Sequence, residues 1–486
     1  MSPARRRWVF AATLATMFMA AIEGTIVATA VPSIVGALGG FELFSWVFTS
    51  YLLTQAVMVP IYGRLADLYG RRRLLFLGIA LFLAGSVLCG LAWSMTALIA
   101  FRVVQGLGAG AVVPVSQTLL GDIYRGAERA RMQGFISSVF ALAALLGPVV
   151  GSLLVAHASW SMIFWVNVPL GLVAAVLLAV TLHERVQRRE HRIDYAGAVL
   201  LALGTCVLMY ALVESADLGS GAIAVLGACA VLLLAGFVLH EMRAPEPLLP
   251  VELWCNPMVS YGNVASLTSG AAMMGIAAFL PAYMQGAMGE SVLAAGYALM
   301  ALSAGWPVGG FLAGRIALAA SYRAAVISGG IVIGLGSAMM IALDPTRGIA
   351  WAIGSAALVG LGMGLTNNTF AVAIQANVEW TQRGIATSST VFTRIIGQSL
   401  GTAVYGGIVN MGLAPHMAGG GDLVNRIMEP SLRAAIPAAE LAPIMTAFAA
   451  ALHRVYLING VLALIIMVMA FGMPAGLTPQ GSSARS

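Results

Sequence analysis

The chain contains no lysine, and its 25 basic residues are all arginine. This absence excludes a P-loop ATPase, whose phosphate site needs a lysine, and it excludes every mechanism with a lysine base or Schiff base. Charged residues make up only 9% of the 486 positions, against roughly 25% in an ordinary soluble domain. Because 60% of the residues are apolar, the chain cannot cover its apolar surface as a soluble globular protein must.

Residues that bind metal ions or form disulfide bonds are scarce as well. The six histidines are scattered, and the four cysteines lie in or beside apolar stretches without metal-ligand spacing: Cys89, Cys206, Cys229 and Cys255. We predict buried free thiols, no metal site, no cofactor and no enzyme active site. The net charge of +6 is divided among short loops, so it indicates membrane topology rather than nucleic-acid binding.

Long apolar runs dominate the rest of the sequence. A membrane-spanning helix needs about 20 mainly apolar residues, and fourteen such runs occur, from 9–33 to 452–472, with 384–412 as the thirteenth. With the N-terminus inside, nineteen arginines fall in cytoplasmic segments and four on the opposite side. The excess of positive charge predicts that both termini are cytoplasmic. Residues 413–451 are expected to form an outer loop of unassigned role, either without regular structure or with one short helix.

Two glycine-containing patterns in the first half of the chain recur in the second half, at nearly the same offset. The segment 63–66 recurs at 314–317, an offset of 251 residues. A glycine ladder, which is the three alternate glycines Gly106, Gly108 and Gly110, recurs 254 residues later as Gly360, Gly362 and Gly364. We therefore predict two six-helix bundles, 1–183 and 258–474, separated by a two-helix insert with its linkers at 184–257 and followed by a cytoplasmic tail at 475–486. Parallel six-helix repeats place a substrate path between them and alternate its access.

Four motifs resemble a known family. Residues 63–73 resemble motif A of the major facilitator superfamily, 102–114 resemble motif B, and Gly147, Pro148 and Gly151 resemble the antiporter motif C. The segment 164–171 is similar to a signature of the fourteen-helix drug:proton antiporters of the EmrB/QacA type. The resemblance implies an all-α membrane protein with the major facilitator fold and proton-coupled drug export.

Glu23 lies about fourteen residues into the first span, with no other acid or base within a helical turn. Where the family usually has an aspartate, this chain has Glu23, which keeps a titratable group. An ionisable residue in a span is costly and normally faces a cavity or a partner. Burial disfavours the charged form, so a carboxyl group there can gain and lose a proton near neutral pH. The alternative is a permanently neutral group retained for packing.

Arg102 is the second charge inside the membrane, and Gln105 shares its face of the fourth span. Because a guanidinium group does not lose its proton in proteins, we expect Arg102 to act electrostatically on a nearby acid. The alternative is a structural tie to backbone carbonyls of a neighbouring span, and both roles can hold together. Arg394 in the thirteenth span is similarly placed.

Motif A contributes Gly63, Asp67, Gly70 and Arg71. The resemblance implies a conformational latch at the inner ends of two helices, which holds the outward-open state. An aspartate near a helix N-terminus is favoured by the helix dipole, and arginines four residues later can bridge to it. The alternative is positive-inside charge alone, which accounts for Arg72 and Arg73 but not for Gly63 or Asp67.

The substrate path is predicted from polar, aromatic and thioether side chains in spans that border the centre. For any single position, ordinary core packing is the competing interpretation. These positions are Tyr51, Gln55, Asn263, Met273, Met274, Tyr283, Tyr297, Trp306, Asn367, Asn368 and Arg394. The 25 methionines suit a pliable, unselective pocket.

Together these features predict a proton-coupled multidrug exporter in a bacterial plasma membrane, with protons, small amphipathic substrates and the lipid bilayer as partners. The tenth span carries no acid, which favours monocationic or neutral cargo over dications. We expect the chain to function as a monomer. The alternatives are a dedicated exporter of an endogenous lipid, siderophore or antibiotic, and, from another class, a membrane enzyme or a sensor. The sequence lacks the polar cluster or output domain that the last two require.

Overall fold

The computed structural model of the protein describes residues 3–124, 126–182, 194–216, 218–248, 251–379, 383–417, 425, 427, 433 and 436–473. Some residues inside these ranges are described by their backbone alone: 3, 67, 126, 127, 129–131, 133, 134, 216, 251, 383–385, 415–417 and 438–440. Nearly all of this part of the chain is helical, and it contains no strand. The predicted tail, 15 of the 39 residues of the predicted outer loop and the side chain of Asp67 lie outside the described residues.

The chain forms two compact units, and the first comprises Met1–Leu208 and Ala224–Leu248. Its core lies where the helices of the first half pack on one another, with apolar side chains from α1 to α4 and α7 in one cluster. The helices are α1 (Pro3–Leu38), α2 (Phe44–Tyr69), α3 (Arg71–Gly90), α4 (Met95–Ile123), α5 (Gly126–His157), α6 (Met162–Trp165) and α7 (Asn167–Thr181). The inserted helices, α8 (Tyr195–Val213) and α9 (Ser220–Glu241), are divided between the two units.

The second unit comprises Met209–Ile223 and Leu249–Ser486. A cluster of buried apolar side chains has members in all the long helices that the structure describes for this unit. Its helices are α10 (Val251–Trp254), α11 (Pro257–Ala277), α12 (Phe279–Ala282), α13 (Val292–Ala319), α14 (Tyr322–Ile341), α15 (Gly348–Asn377), α16 (Arg383–Met417) and α17 (Ala438–Gly472). A single π-helical turn, Tyr283–Ala287, follows α12.

Thirteen helices within the described residues are long and apolar enough to cross a membrane. The predicted thirteenth span corresponds to α16, which is 35 residues long but carries many hydroxyl side chains, an arginine and a glutamine. The count of fourteen spans and the cytoplasmic placement of the termini stay predictions. The prediction that the last span begins at 452 is wrong, because α17 begins at Ala438 and continues through Pro443. Its alanine-rich first turns favour a helix, although the acid and the prolines there had suggested a loop.

The prediction of buried thiols holds only for Cys89. All four cysteines are free, but Cys206, Cys229 and Cys255 are exposed. Cys206 and Cys229 lie on α8 and α9, and α9 has few of its residues covered by protein. In a membrane-spanning helix such a surface faces lipid, so an apolar position along the sequence does not have to be a buried one.

The predicted repeat has a physical counterpart in helix packing. A Cβ atom at Gly147 or Gly151 of α5 would overlap α1, and a Cβ atom at Gly397 or Gly401 of α16 would overlap α11 in the same way. The glycine ladder behaves similarly. In the first unit, the first and last glycines of the ladder pack α4 on α2, and the middle glycine packs α4 on α3. In the second unit, the corresponding glycines pack α15 on α13 and on α14. Glycines permit these close backbone contacts.

Candidate functional site

Glu23 lies in α1 and is completely buried. Its Oε1 atom accepts a hydrogen bond of 2.5 Å from Nη1 of Arg102 on α4, and the pair forms a salt bridge. Arg102 itself is only 1% exposed. Two residues that are 79 positions apart in the sequence therefore form one ion pair in the interior of the first unit.

Arg102 also makes the backbone contact that the alternative interpretation proposed. Its Nε atom donates to the carbonyl oxygen of Val47 on α2 at 3.0 Å, and Nη1 also donates to Oε1 of Gln105 at 2.6 Å. The guanidinium carbon lies 4.1 Å from the centre of the Tyr51 ring. The same side chain therefore ties two helices together and neutralises Glu23, so the two interpretations do not exclude one another.

Asn167 completes the surroundings of Glu23, and the sequence analysis did not single it out. Its Nδ2 atom donates to Oε2 of Glu23 at 2.6 Å, and the residue is fully buried. Asn167 begins α7 after a break at Val166. Pro169 lies in the first turn of α7 and has no N–H group, which favours a new helix start at this place. The only sequence signal was the position of Asn167 inside the family signature.

A further set of hydrogen bonds extends from this site toward α3. Gln105 donates from Nε2 to the hydroxyl oxygen of Ser86 at 2.8 Å, and both residues are buried. Ser86 therefore fixes the amide orientation of Gln105, which leaves Oε1 of Gln105 for Arg102. Five helices contribute side chains or backbone atoms to the polar cluster around Glu23.

The geometry fits a charged Glu23. Both carboxylate oxygens accept hydrogen bonds, one from a guanidinium group and one from an amide. Burial favours the neutral acid while Arg102 favours the carboxylate, so the balance depends on the distance between them. A proton on Glu23 would cancel most of the attraction to Arg102. Proton binding and separation of the pair are therefore linked, which is the chemistry a proton-coupled conformational change requires.

The antiporter motif packs directly beside this pair. Gly147 and Gly151 of α5 face Thr25, Ile26 and Thr29 on α1, so the motif lies against the turns of α1 that follow Glu23. The Thr25 hydroxyl group also lies 3.4 Å from the carbonyl oxygen of Ala143 on α5. Pro148 lies inside α5 between the two glycines. The motif therefore packs α5 closely on α1 in the turns that follow Glu23.

The predicted latch is a charged turn between α2 and α3. Gly70 has a φ of 91°, a conformation that residues with a side chain rarely adopt, and it joins the two helices. Gly63 has open space around its Cα atom. Arg71 forms a salt bridge with Asp122 near the end of α4, an acid that the sequence analysis did not select.

Arg64, also in motif A, binds the segment that follows the inserted helices. It forms a salt bridge with Glu246, and its Nη2 atom donates to the carbonyl oxygen of Pro247 at 2.7 Å. Both partners lie in the first unit with Arg64. The motif is therefore connected to α4 through one arginine and to the linker after α9 through another.

We expect Asp67→Asn to shift the population between inward-open and outward-open states by several-fold without a change in the affinity for substrate. A charge pair at a moving boundary biases a two-state equilibrium, and loss of one charge removes that bias. Spin-label distances across the motif A face measure the shift. Glu128→Gln serves as the control, because it removes an exposed acid that pairs with Arg6. An unchanged distance distribution in Asp67→Asn would leave Asp67 with a local capping role.

Asp194 organises the start of the inserted pair. Its Oδ1 atom accepts from the backbone N–H of Gly197 at 2.9 Å and lies 2.7 Å from Nε2 of His240 near the end of α9. Burial alone would raise the pKa of Asp194, but the Gly197 N–H, the His240 ring and Glu241 together lower it below its ordinary value. A charged Asp194 therefore caps α8 and joins the two inserted helices at one end.

The second unit brings several predicted path residues together in pairs. Asn263 donates to the Ser389 hydroxyl oxygen at 2.9 Å, and the Ser269 hydroxyl donates to Oδ1 of Asn367 at 2.9 Å. The Trp306 ring and the Arg394 guanidinium group lie 6.0 Å apart. Gln398, which the sequence analysis did not select, lies 3.5 Å from the sulfur of Met273.

The remaining predicted path residues lie in different surroundings. Tyr51 packs on Arg102 in the first unit, and Gln55 is half-buried on α2. Met274 is buried, and Tyr283 is buried with its hydroxyl donating to the Leu343 carbonyl oxygen at 3.0 Å. Tyr297 and Asn368 are exposed. The role of these residues in a substrate path stays a prediction. No group of His, Cys, Asp and Glu among the described residues is placed to hold a metal ion.

Comparisons with known proteins agree with this architecture. Residues 13–402 match the family model of the Major Facilitator Superfamily. The chain is 33% identical over 409 residues to the Multidrug transporter protein MdtP of Bacillus subtilis, which covers 84% of this chain and 76% of the relative. It is 30% identical to Multidrug resistance protein 3 of the same species, over 96% of this chain and 94% of the relative. A bacterial homolog of the human lysosomal transporter Spinster, in an inward-facing and unoccupied conformation, has a similar fold, with a TM-score of 0.68 at 16% identity and coverage of 97% and 98%.

Proposed function

The chain belongs to the major facilitator superfamily, and we propose that it is a proton-coupled multidrug efflux transporter that works by alternating access. Family membership confirms the resemblance found in the motifs, the all-α membrane fold of major facilitator type, and the prediction that the chain is not an enzyme. It also makes the chain a multi-pass membrane protein. The names of the bacterial relatives support drug export as the function.

The observation that carries proton coupling is the buried ion pair of Glu23 and Arg102. Glu23 is the only acid described within the central turns of the spanning helices of the first unit, and it is closed off from water. A permanent charge pair of this kind is a poor means of stabilising a fold, since apolar residues of similar volume are often as good. A titratable carboxyl group is retained at a cost, which favours a functional role.

The proposed cycle uses the competition between a proton and Arg102 for Glu23. In the state described here the carboxylate is bound to Arg102 and Asn167. When Glu23 becomes accessible from outside, a proton binds and the attraction to Arg102 is lost, which favours the other conformation. Release of the proton toward the inside restores the pair. The charged turn of motif A biases the same equilibrium from the inner ends of α2 and α3.

The proposed cargo is amphipathic and either neutral or monocationic, and the proposed location is the plasma membrane of a bacterium, where a proton gradient is available. The chain acts as a monomer in this proposal, with protons, the cargo and the lipid bilayer as its partners. No acid occurs in α13, and the oxygens of Glu23 are occupied by Arg102 and Asn167. A second positive charge on the cargo would therefore be left without a carboxylate partner in a region of low dielectric constant.

We expect purified protein in proteoliposomes with an acidic lumen to accumulate ethidium about tenfold for each pH unit of gradient, and to accumulate the dication propidium far less. One monocation exchanged for one proton is electroneutral, so a tenfold proton gradient supports a tenfold cargo gradient. The two dyes share the same aromatic body, so the comparison isolates the second charge. Fluorescence of the trapped dyes reports accumulation.

Nigericin, which collapses the pH gradient, is the control and should abolish the accumulation. Accumulation that persists with nigericin would exclude proton coupling. Equal accumulation of both dyes would contradict the charge selectivity, and it would indicate that an acid at a helix end, Glu214 or Glu290, reaches the cargo. Absence of transport for a broad panel of amphipathic compounds would instead favour a dedicated exporter.

A further inference from the structure

Arg394 is a positive charge on α16, a long helix of the second unit that also carries many hydroxyl side chains. It lies eleven residues after the start of α16, which corresponds to about 16 Å along the helix. An arginine inside a spanning helix is expensive, and it almost always faces a partner, a backbone carbonyl or a water-filled space. The surroundings of Arg394 therefore have to account for its presence.

Arg102 shows what a fully partnered arginine looks like in this fold. It binds a carboxylate, a side-chain amide and a backbone carbonyl, and it packs on an aromatic ring. Arg394 differs in every polar respect, because it has no ion pair and no hydrogen bond to any residue that the structure describes. Among the described residues, its guanidinium carbon faces the Trp306 ring, 6.0 Å from the ring centre. Packing on a ring does not use the N–H groups of the guanidinium edge.

The side chain is nevertheless not free to leave the protein. The backbone of Arg394 is pressed against α11, where a Cβ atom at Gly270 would overlap its carbonyl oxygen. The side chain is half-buried, and none of its unpartnered nitrogens is fully covered by the described part of the protein, so the guanidinium edge is open to a ligand. A structural tie between helices would have satisfied the N–H groups with carbonyls, as Arg102 does with Val47. Arg394 instead presents unused donors beside an aromatic ring.

We propose that Arg394 and Trp306 form a binding site for the anionic group of amphipathic cargo, such as a sulfonate or a carboxylate. The guanidinium edge donates two parallel hydrogen bonds to two oxygens of the anion, and the indole ring packs on the apolar body. This site lies entirely in the second unit and adds a cargo class to the neutral and monocationic compounds of the proposed function. It rests on the chain being a transporter, but not on proton coupling through Glu23.

Polar side chains near Arg394 in the sequence and on the adjacent helix suit such a site. Gln398 lies one turn further along α16, and its amide contacts only the sulfur of Met273 among the described atoms. Asn263 lies seven residues before Gly270, so it is about 10 Å along α11 from the contact with Arg394. It is 1% exposed and donates from Nδ2 to Ser389, while its Oδ1 atom has no hydrogen-bond partner in the described part of the chain. A buried polar atom without a partner is costly unless a ligand or water supplies one.

The test uses three dyes, and the first two share one ring system. 1-Anilinonaphthalene-8-sulfonate carries the anion, N-phenyl-1-naphthylamine lacks it, and ethidium supplies the opposite charge. In Arg394→Gln, we expect the KM for exchange of the sulfonate in proteoliposomes to rise at least tenfold, with the neutral dye and ethidium within about twofold of wild type. Arg394→Lys keeps the charge without the planar fork and should give an intermediate KM for the sulfonate.

Arg347→Gln is the matched control, because Arg347 also packs on a tryptophan, Trp351, but lies in the connection before α15. It should leave transport of all three dyes unchanged. Isothermal titration of the sulfonate into purified protein tests the site without any transport, and it should show the same tenfold loss of affinity in Arg394→Gln.

Three results would overturn the anion site: equal losses for all three dyes, an unchanged sulfonate KM, or unchanged sulfonate affinity in the titration. Export of ethidium by a wild-type protein that does not bind the sulfonate would reject the site and leave the proposed function intact. Sulfonate binding that depends on Arg394, in a protein that exports no dye, would reject multidrug export and retain the site.

Discussion

Proteoliposomes that contain Glu23→Gln should accumulate no ethidium above its equilibrium distribution, whatever pH gradient is imposed. The substitution removes the carboxyl group whose proton is exchanged for cargo in the proposed cycle, but it keeps the length and polarity of the side chain. Asn167 can turn its amide and offer Oδ1, which has no partner in the described part of the structure. Exchange of labelled for unlabelled dye without a gradient should therefore persist. The comparison of accumulation with exchange measures coupling separately from binding.

Two further variants sharpen this result. Glu23→Asp restores the residue that the family usually has and keeps a titratable group, so it should retain part of the accumulation. Glu128→Gln removes another acid that pairs with an arginine, but its side chain is 61% exposed, so accumulation should equal that of wild type. Accumulation by Glu23→Gln that nigericin still abolishes would show that protons are coupled through another residue.

Arg102→Leu should lower the free energy of unfolding by about 3–5 kcal/mol, whereas Glu23→Gln combined with Arg102→Leu should recover most of this loss. Removal of one member leaves the other charge buried without its partner, while replacement of both leaves no buried charge. The four proteins form a double-mutant cycle that isolates the interaction. Equilibrium unfolding in detergent measures the order of stability, and accumulation assays should show that the double variant is stable but uncoupled.

The exposed pair of Arg6 and Glu128 supplies the stability control. Because pairs near water contribute about 0–1 kcal/mol, Glu128→Gln should unfold close to wild type. A double variant as unstable as Arg102→Leu would mean that Arg102 acts mainly by holding Val47 and packing on Tyr51. In that case the ion pair would have little energetic importance, and the role of Glu23 would need a different explanation.

The sequence could predict Glu23 and Arg102 as functional candidates because a charge in an apolar run is conspicuous by itself. It could not predict that they meet, since they lie on different helices and no spacing relates them. Asn167 and Ser86 were missed for the opposite reason. An amide or a hydroxyl group is unremarkable in a membrane helix, and only the break before α7 and the packing of α3 bring these two side chains to the site.

The fold was predictable to a similar extent. Apolar runs of about 20 residues mark spanning helices well, but a helix continues beyond the predicted run where residues of high helix propensity, such as alanine, adjoin it. Ala438 begins α17 fourteen residues before the predicted start for this reason. The connections of motif A were also not predictable, because Arg64 and Glu246 are 182 positions apart and meet through the linker that follows the inserted helices.

The glycine contacts between α1 and α5 have a mechanical consequence. Backbone that lies directly against Gly147 and Gly151 cannot slide by one residue, because the side chains on either side of each glycine would collide with the facing helix. We therefore expect α1 and α5 to move together as one rigid body, so that a small displacement of α1 near Glu23 also displaces α5. With 32 residues, α5 is about 48 Å long. In the proposed cycle, protonation of Glu23 would therefore displace a helix of this whole length.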